Sequence, residues 1–158
     1  MKTIIVWGSA RSDGNTAAVV NEFAYRFGGT ILNLQEFTVA PYSYDGSYPA
    51  EDAFIKIMER VVAHDRLILA SPVYWYTMSA QLKVFIDRFS DLLTIHKALG
   101  RDLCGTRLGV LSCAGGQRVN DSYYEAFYLT ALYLGMPYAG EWHGWVKEGE
   151  VNLVQRPK

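Results

Sequence analysis

Near the start of the chain, Gly8-Ser9-Ala10-Arg11-Ser12-Asp13-Gly14-Asn15-Thr16 gathers small residues, hydroxyls, an amide and a guanidinium where an apolar strand gives way to a helix. That set of groups can cradle an anion. The first-turn N–H groups and positive dipole end of the helix, the hydroxyls of Ser9, Ser12 and Thr16, the Asn15 amide and Arg11 can all donate to phosphate oxygens. The dipole contributes roughly 0.3–1 kcal/mol, so direct donors must supply most of the affinity. Five residues separate Gly8 from Gly14, and Asn15 stands where a Walker A loop needs lysine, which argues against nucleoside triphosphate hydrolysis. Ala10 occupies the second glycine position of G-x-G-x-x-G, which disfavours a dinucleotide pyrophosphate. A terminal monophosphate fits better, and an ordinary Ser/Asn-capped turn is the bland alternative.

Two later stretches add to this. Ser71-Pro72-Val73-Tyr74-Trp75-Tyr76-Thr77 places three aromatic rings behind a proline that fixes the backbone at a strand's exit. A planar aromatic ligand gives such rings a purpose, through stacking worth about 0.5–1.5 kcal/mol beyond the buried area. Capping the core or burial in a subunit contact explains any one of them equally well. Cys113-Ala114-Gly115-Gly116-Gln117 offers backbone N–H donors and little side-chain bulk, so a ligand can approach the main chain closely. Cys113 itself reads as a small buried hydrophobe, because no histidine or cation stands near it in sequence.

These loops need a scaffold that brings them to one edge. Short apolar runs alternate with stretches of helical periodicity, which is the pattern of βαβ units. Strands are predicted at 3–7, 30–34, 67–70, 108–112 and 138–142, and the third is continuously apolar, as in a parallel strand covered on both faces. Helical stripes are carried by Val20, Phe23, Ala24 and Phe27, by Phe54, Ile57, Met58 and Val61, by Leu82, Phe85, Ile86 and Phe89, and by Tyr124, Phe127, Tyr128, Ala131 and Leu134. Ser79 is the expected N-cap of the third helix, while Lys83, Asp87 and Arg88 fall outside its stripe. Gly28-Gly29 and Gly135 with Pro137 supply stops. Five parallel strands with four right-handed crossovers make a doubly wound, three-layer α/β domain whose ligands bind at the carboxyl ends of the strands.

The whole chain, 158 residues with 50% hydrophobic and 20% charged, is expected to form one domain over 1–158. A formal net charge of -1 leaves no field to hold a nucleic acid or an anionic membrane. The opening apolar run stops at Gly8 and no later run reaches about 18 residues, so a cytoplasmic location is expected. Cys104 and Cys113 suggest neither a disulfide framework nor a zinc site.

With these loops in place, the chain resembles the flavodoxin-like NAD(P)H-dependent FMN reductase and quinone reductase family over nearly its whole length. The motifs that carry the likeness are Gly8-Ser9-Ala10-Arg11 with Gly14-Asn15-Thr16, and the run from Ser71-Pro72-Val73-Tyr74-Trp75 through Gln81-Leu82-Lys83 into Phe85-Ile86-Asp87-Arg88. The resemblance implies a five-stranded parallel sheet of order 2-1-3-4-5, FMN as cofactor, and NADH or NADPH as co-substrate. Ser9, Arg11, Asn15 and Thr16, with Ser12 beside them, would hold the FMN phosphate. Pro72, Val73, Tyr74 and Trp75 would border the isoalloxazine, and Ala114, Gly115 and Gly116 would close its other side. Family members usually work as homodimers or homotetramers. Iron-sulfur relatives carry a cysteine cluster after the second strand. Here that segment is Pro41-Tyr42-Ser43-Tyr44-Asp45-Gly46-Ser47-Tyr48-Pro49, so no such centre is expected, and its tyrosines suit a lid, a subunit contact or a solvated loop equally.

The expected activity is hydride transfer from NAD(P)H through FMN to a small-molecule electron acceptor, with no catalytic acid or base required. Quinone, free flavin, nitro and azo acceptors fit this reading equally. His64 and His143 read as surface or structural residues, and His96 lies in an expected loop over 94–107. A flavodoxin-type one-electron carrier is the competing reading, disfavoured because docking basic partners calls for a strongly acidic face. A receiver domain is disfavoured by Trp7-Gly8 and Ala70-Ser71, where acidic residues would be needed.

Overall fold

The computed structural model describes residues 1–157. The apolar runs Ile4-Ile5-Val6 and Leu67-Ile68-Leu69-Ala70 have no face free for solvent, and both are fully buried at the centre of one sheet. Its strands are β1 (Thr3–Trp7), β2 (Thr30–Asn33), β3 (Arg66–Pro72), β4 (Arg107–Cys113), β5 (Tyr138–Lys147) and β6 (Glu150–Gln155), paired in the order β2-β1-β3-β4-β5-β6. The first five are parallel and follow the expected 2-1-3-4-5 order, with Trp7 level with Asn33 on one side and Ala70 on the other.

The sixth strand departs from the expectation of five. β5 continues to Lys147, where Glu148 and Gly149, at φ 52° and 82°, turn the chain back into β6, antiparallel to β5. Positive φ at both central residues gives a two-residue turn whose twist matches the strands it joins.

One face of the sheet carries only α1 (Asn15–Phe27), which packs Val19, Val20 and Phe23 against Ile5, Trp7, Ile68, Leu111 and Trp142, with Val151 and Leu153 of β6 at the margin. The other face is covered by α2 (Phe54–Val62), α3 (Ala80–Asp87), α4 (Lys97–Leu103) and α5 (Ser122–Tyr133). A single helix leaves part of β4 and β5 uncovered, and the Trp142 indole fills that space. Gly109 makes room for it, since a Cβ there would lie 2.9 Å from an indole carbon. Gly144 lets α1 descend onto β5, because a Cβ would come within 2.3 Å of a Val19 methyl. No helix among the described residues is long and apolar enough to cross a membrane.

Two further expectations are corrected. The stretch 94–107 is not a plain loop, for it contains α4, with His96 as the residue before its first turn. In addition, α3 ends at Asp87 and the chain tightens into a 3-10 segment over Arg88–Leu93. That change of winding takes Arg88 off the solvent side, leaving it 1% exposed. Its Nε donates to Asp91 (2.7 Å), Nη1 to Asp52 (2.8 Å) and to the Ala40 carbonyl (3.0 Å), and Nη2 to Asp52 (3.2 Å). The Tyr48 ring lies 3.4 Å from the guanidinium carbon, and its hydroxyl donates to Asp91 (2.9 Å). A buried charge survives only when paired in this way. The cluster ties the tyrosine-rich segment after β2 to the end of α3, while Tyr44 at its tip points into solvent.

Candidate functional site

Adjacent parallel strands place their carboxyl ends side by side, and the crossover from β1 runs one way to β2 while the next, from β2, runs back past β1 to β3. A crevice opens at that switch point. Three loops meet there around a cleft of about 200 Å³: Ser9, Arg11, Gly14, Asn15 and Thr16 after β1, Pro72, Val73 and Tyr74 after β3, and Cys113, Ala114 and Gly115 after β4.

The first loop is held from outside the cleft. Gln35 Nε2 donates to the Ser9 carbonyl (2.7 Å), and Ser79 Oγ donates to the Gly8 carbonyl (2.7 Å). Gly8 is needed here, because a Cβ would stand 2.9 Å from the Leu82 amide nitrogen. Ser79 also caps α3 as expected, accepting from the Leu82 N–H (3.2 Å), and its own N–H donates to Ser71 Oγ (2.8 Å). The exits of β1 and β3 and the start of α3 are thus stitched together. Gly14 precedes α1 without offering a side-chain acceptor, so the first-turn N–H groups of that helix keep their donor capacity at the cleft. Ser9 and Thr16 are buried, whereas Arg11 is 73% exposed and only loosely paired with Asp13 at 3.9 Å. No carboxylate among the described residues lines the cleft. A wall of hydroxyls, an amide, a guanidinium and free N–H groups suits a group that only accepts hydrogen bonds, as a phosphate does.

Three residues expected at the site do not line it. Ser12 sits exposed on the outer bend of the first loop, and Gly116 lies one residue past the wall, where its carbonyl accepts from His143 Nε2 (2.7 Å). Trp75 forms, with Tyr76, the tip of a tight turn closed by paired hydrogen bonds between Tyr74 and Thr77 (2.9 and 3.1 Å). Trp75 and Tyr76 have φ of 47° and 67°, and they are 92% and 67% exposed. Left-handed backbone at non-glycine residues costs on the order of 1–3 kcal/mol each, and such strain persists where the surroundings or function demand it. Tyr74 remains at the cleft, with its hydroxyl 3.5 Å from Ser9 Oγ. Gly115 and Gly116 are demanded neither by φ nor by packing, since a Cβ at either would meet nothing in the protein.

The third loop is clamped by a buried chain of polar groups. A carbonyl only accepts, so the His143 hydrogen lies on Nε2 toward Gly116, and Nδ1 accepts from the Ser112 hydroxyl (2.8 Å). That hydroxyl in turn can accept from Tyr124. Burial holds the imidazole below its ordinary value, against the opposing effect of the Gly116 and Ser112 hydrogen bonds. The unfolded chain therefore binds a proton at a pH where the folded one does not. Stability is full above about pH 6.5 and is lost as pH falls toward the folded value. His143→Gln is expected to flatten the dependence of the urea midpoint on pH between 7.5 and 5.5. An unchanged slope would show that another group titrates.

Burial pushes the Cys113 thiol up, against the opposing effect of the Thr16 hydroxyl, so it is an apolar wall rather than a nucleophile. No group of three or more His, Cys, Asp or Glu side chains among the described residues could hold a metal ion.

Sheet order and crevice together define a flavodoxin-like protein. Residues 1–148 match the model of the NADPH-dependent FMN reductase family, and the chain belongs to that family. The Bacillus subtilis protein YwqN, provisionally named an NAD(P)H-dependent FMN-containing oxidoreductase, is 35% identical over 98 residues, 59% of this chain and 54% of its own length. An NADPH azoreductase of a Bacillus species is 29% identical over 116 residues, 73% of this chain and 60% of its own. The matched region thus spans little more than half of each of these relatives. A solved structure described as the Trp repressor binding protein of Bacillus subtilis shares the fold with a TM-score of 0.71 at 24% identity, covering 94% of this chain and 89% of that one.

Proposed function

We propose that the cleft holds FMN and that the protein is an NAD(P)H-dependent oxidoreductase of small-molecule electron acceptors. The observation that carries this is the donor-only wall after β1, facing a ring-bearing loop after β3 and an open glycine loop after β4. When bound, FMN supplies the two-electron chemistry, by which NAD(P)H, a solvent proton and a quinone become NAD(P)+ and a hydroquinone. The residues bind and orient. Ser9, Asn15, Thr16, Arg11 and the first-turn N–H groups of α1 take the phosphate. Pro72, Val73 and Tyr74 border one side of the ring system, and the Gly115 N–H faces its polar edge, the Ala114 N–H being taken by the Gly144 carbonyl (3.2 Å). The hydride needs no protein acid or base.

A homodimer in the cytoplasm belongs to the same reading. Leu129, Leu132 and Tyr133 on α5 and Leu93 and Ile95 before α4 leave apolar surface exposed, as a subunit contact requires.

Protein purified with added FMN is expected to be yellow, to gain thermal stability with rising FMN concentration, and to oxidise NAD(P)H in the presence of a quinone only when flavin is bound. Colourless protein that FMN leaves unstabilised overturns the assignment. FMN binding without nicotinamide oxidation, together with a long-lived one-electron-reduced flavin, points instead to a carrier.

A further inference from the structure

A second hollow, of about 120 Å³, shares Val73 and Ala114 with the cleft and lies between the strained aromatic turn and the segment leading into α5. Tyr76, Val119 and Tyr123 make its remaining apolar wall, and Arg118 and Asn120 its polar one. Tyr123 is a fixed surface, being buried with its hydroxyl donating to the Ser71 carbonyl (3.3 Å). Arg118 differs from Arg11, the other arginine at the cleft and the hollow. Arg11 has Asp13 beside it at 3.9 Å, whereas Arg118 has no ion-pair partner among the described residues. Tyr76 is held at this hollow by left-handed backbone, although the protein gains little packing from a ring that is mostly in solvent.

A cation without a partner, flat apolar walls and a shared boundary with the cleft describe a recognition element for part of a substrate. An enclosed cavity of about 150 Å³ accommodates benzene, so an open hollow of this size takes one ring. We propose, building on the flavin reading above, that this annex receives the aryl ring of an anionic aromatic electron acceptor, its carboxylate or sulfonate meeting Arg118 and Asn120. The 2′-phosphate of NADPH is a poorer occupant. A dianion calls for several donors, and this hollow offers one guanidinium and one amide against mainly apolar walls.

The test compares 1,4-naphthoquinone-6-sulfonate, whose charge sits on the aryl ring rather than the quinone ring, with 1,4-naphthoquinone as acceptors for the FMN-loaded protein, with flavin content measured first. Arg118→Ala is expected to raise KM for the sulfonate tenfold or more while the neutral quinone's KM moves less than twofold, and Arg118→Lys is expected to recover part of the difference. Tyr76→Gly is expected to raise KM for both quinones and to raise Tm by a few degrees, since glycine relaxes the turn. Equal effects on the two acceptors, or none, overturn the proposal. So does a rise in KM for NADPH without one for NADH, which would assign Arg118 to the nucleotide phosphate. Wild-type protein that binds no FMN defeats the flavin reading itself, whereas flavin-loaded Arg118→Ala without discrimination defeats the annex alone.

Discussion

Replacing Arg88 with methionine is expected to cost about 3–5 kcal/mol of stability, because Asp52 and Asp91 are left buried without their counter-charge. For a chain of this length, about 2–4 °C is lost per kcal/mol, so Tm is expected to fall by about 10 °C. Burial alone would raise the Asp52 carboxyl. Hydrogen bonds from Arg88 and from the Ala40 and Phe54 N–H groups win, and hold it below its ordinary value. Its stabilising contribution is therefore present above about pH 4 and is lost as pH falls through the folded value. In the Arg88→Met protein that dependence should reverse, with stability rising as the stranded carboxylates take up protons. Adding Asp52→Asn and Asp91→Asn should return most of the loss, since neutral amides tolerate burial better than bare charges. A single-variant Tm within 2–3 °C of the wild type would mean that water reaches the cluster and that it does not hold the segment after β2 in place.

Thr16→Val is expected to weaken FMN binding by about 1.5–3 kcal/mol, roughly 10- to 150-fold, as the loss of a hydrogen bond to a charged phosphate. Thr16 is the sharpest probe of the cradle. It is buried, it begins α1 beside Asn15, and valine preserves its shape. Riboflavin, which has no phosphate, should bind the wild type and the variant with similar affinity. Measuring both ligands by flavin fluorescence separates a lost phosphate contact from a distorted helix. An equal loss for both would place the phosphate elsewhere.

Most of what positions these groups was readable in the residues. Continuous apolar runs specified the parallel strands, and glycine after helix stripes marked where α1 and α5 stop. The donor-rich nonapeptide also lay where a doubly wound sheet opens. What escaped had weaker local signals. β6 contains only Val151, Leu153 and Val154 as apolar residues and is half-buried, so its cue was the Glu148-Gly149 pair between two alternating segments. Arg88 reads as a surface residue on a straight helix, and only a change to 3-10 winding, together with carboxylates 36 residues earlier and 3 later, makes it a core residue. The resemblance puts Trp75 at the cleft, whereas two successive left-handed residues swing it outward, a conformation that neither tryptophan nor tyrosine favours. Gln35 carries no motif at all. Its role comes from a short 3-10 turn after β2 that aims its amide at the Ser9 carbonyl.

The solitary helix on one side of the sheet couples ligand capture to local unfolding. Its first turn borders the cleft, and its apolar stripe shields Ile5, Ile68, Leu111 and Trp142 from water. Any excursion that frays this helix must expose that hydrophobic surface at the same time, with no second helix to limit the damage. A ligand held in the cleft against that turn is therefore expected to suppress the opening of an entire layer, so that amide protons in α1 and in the strands beneath it gain protection together while the four-helix side exchanges as before.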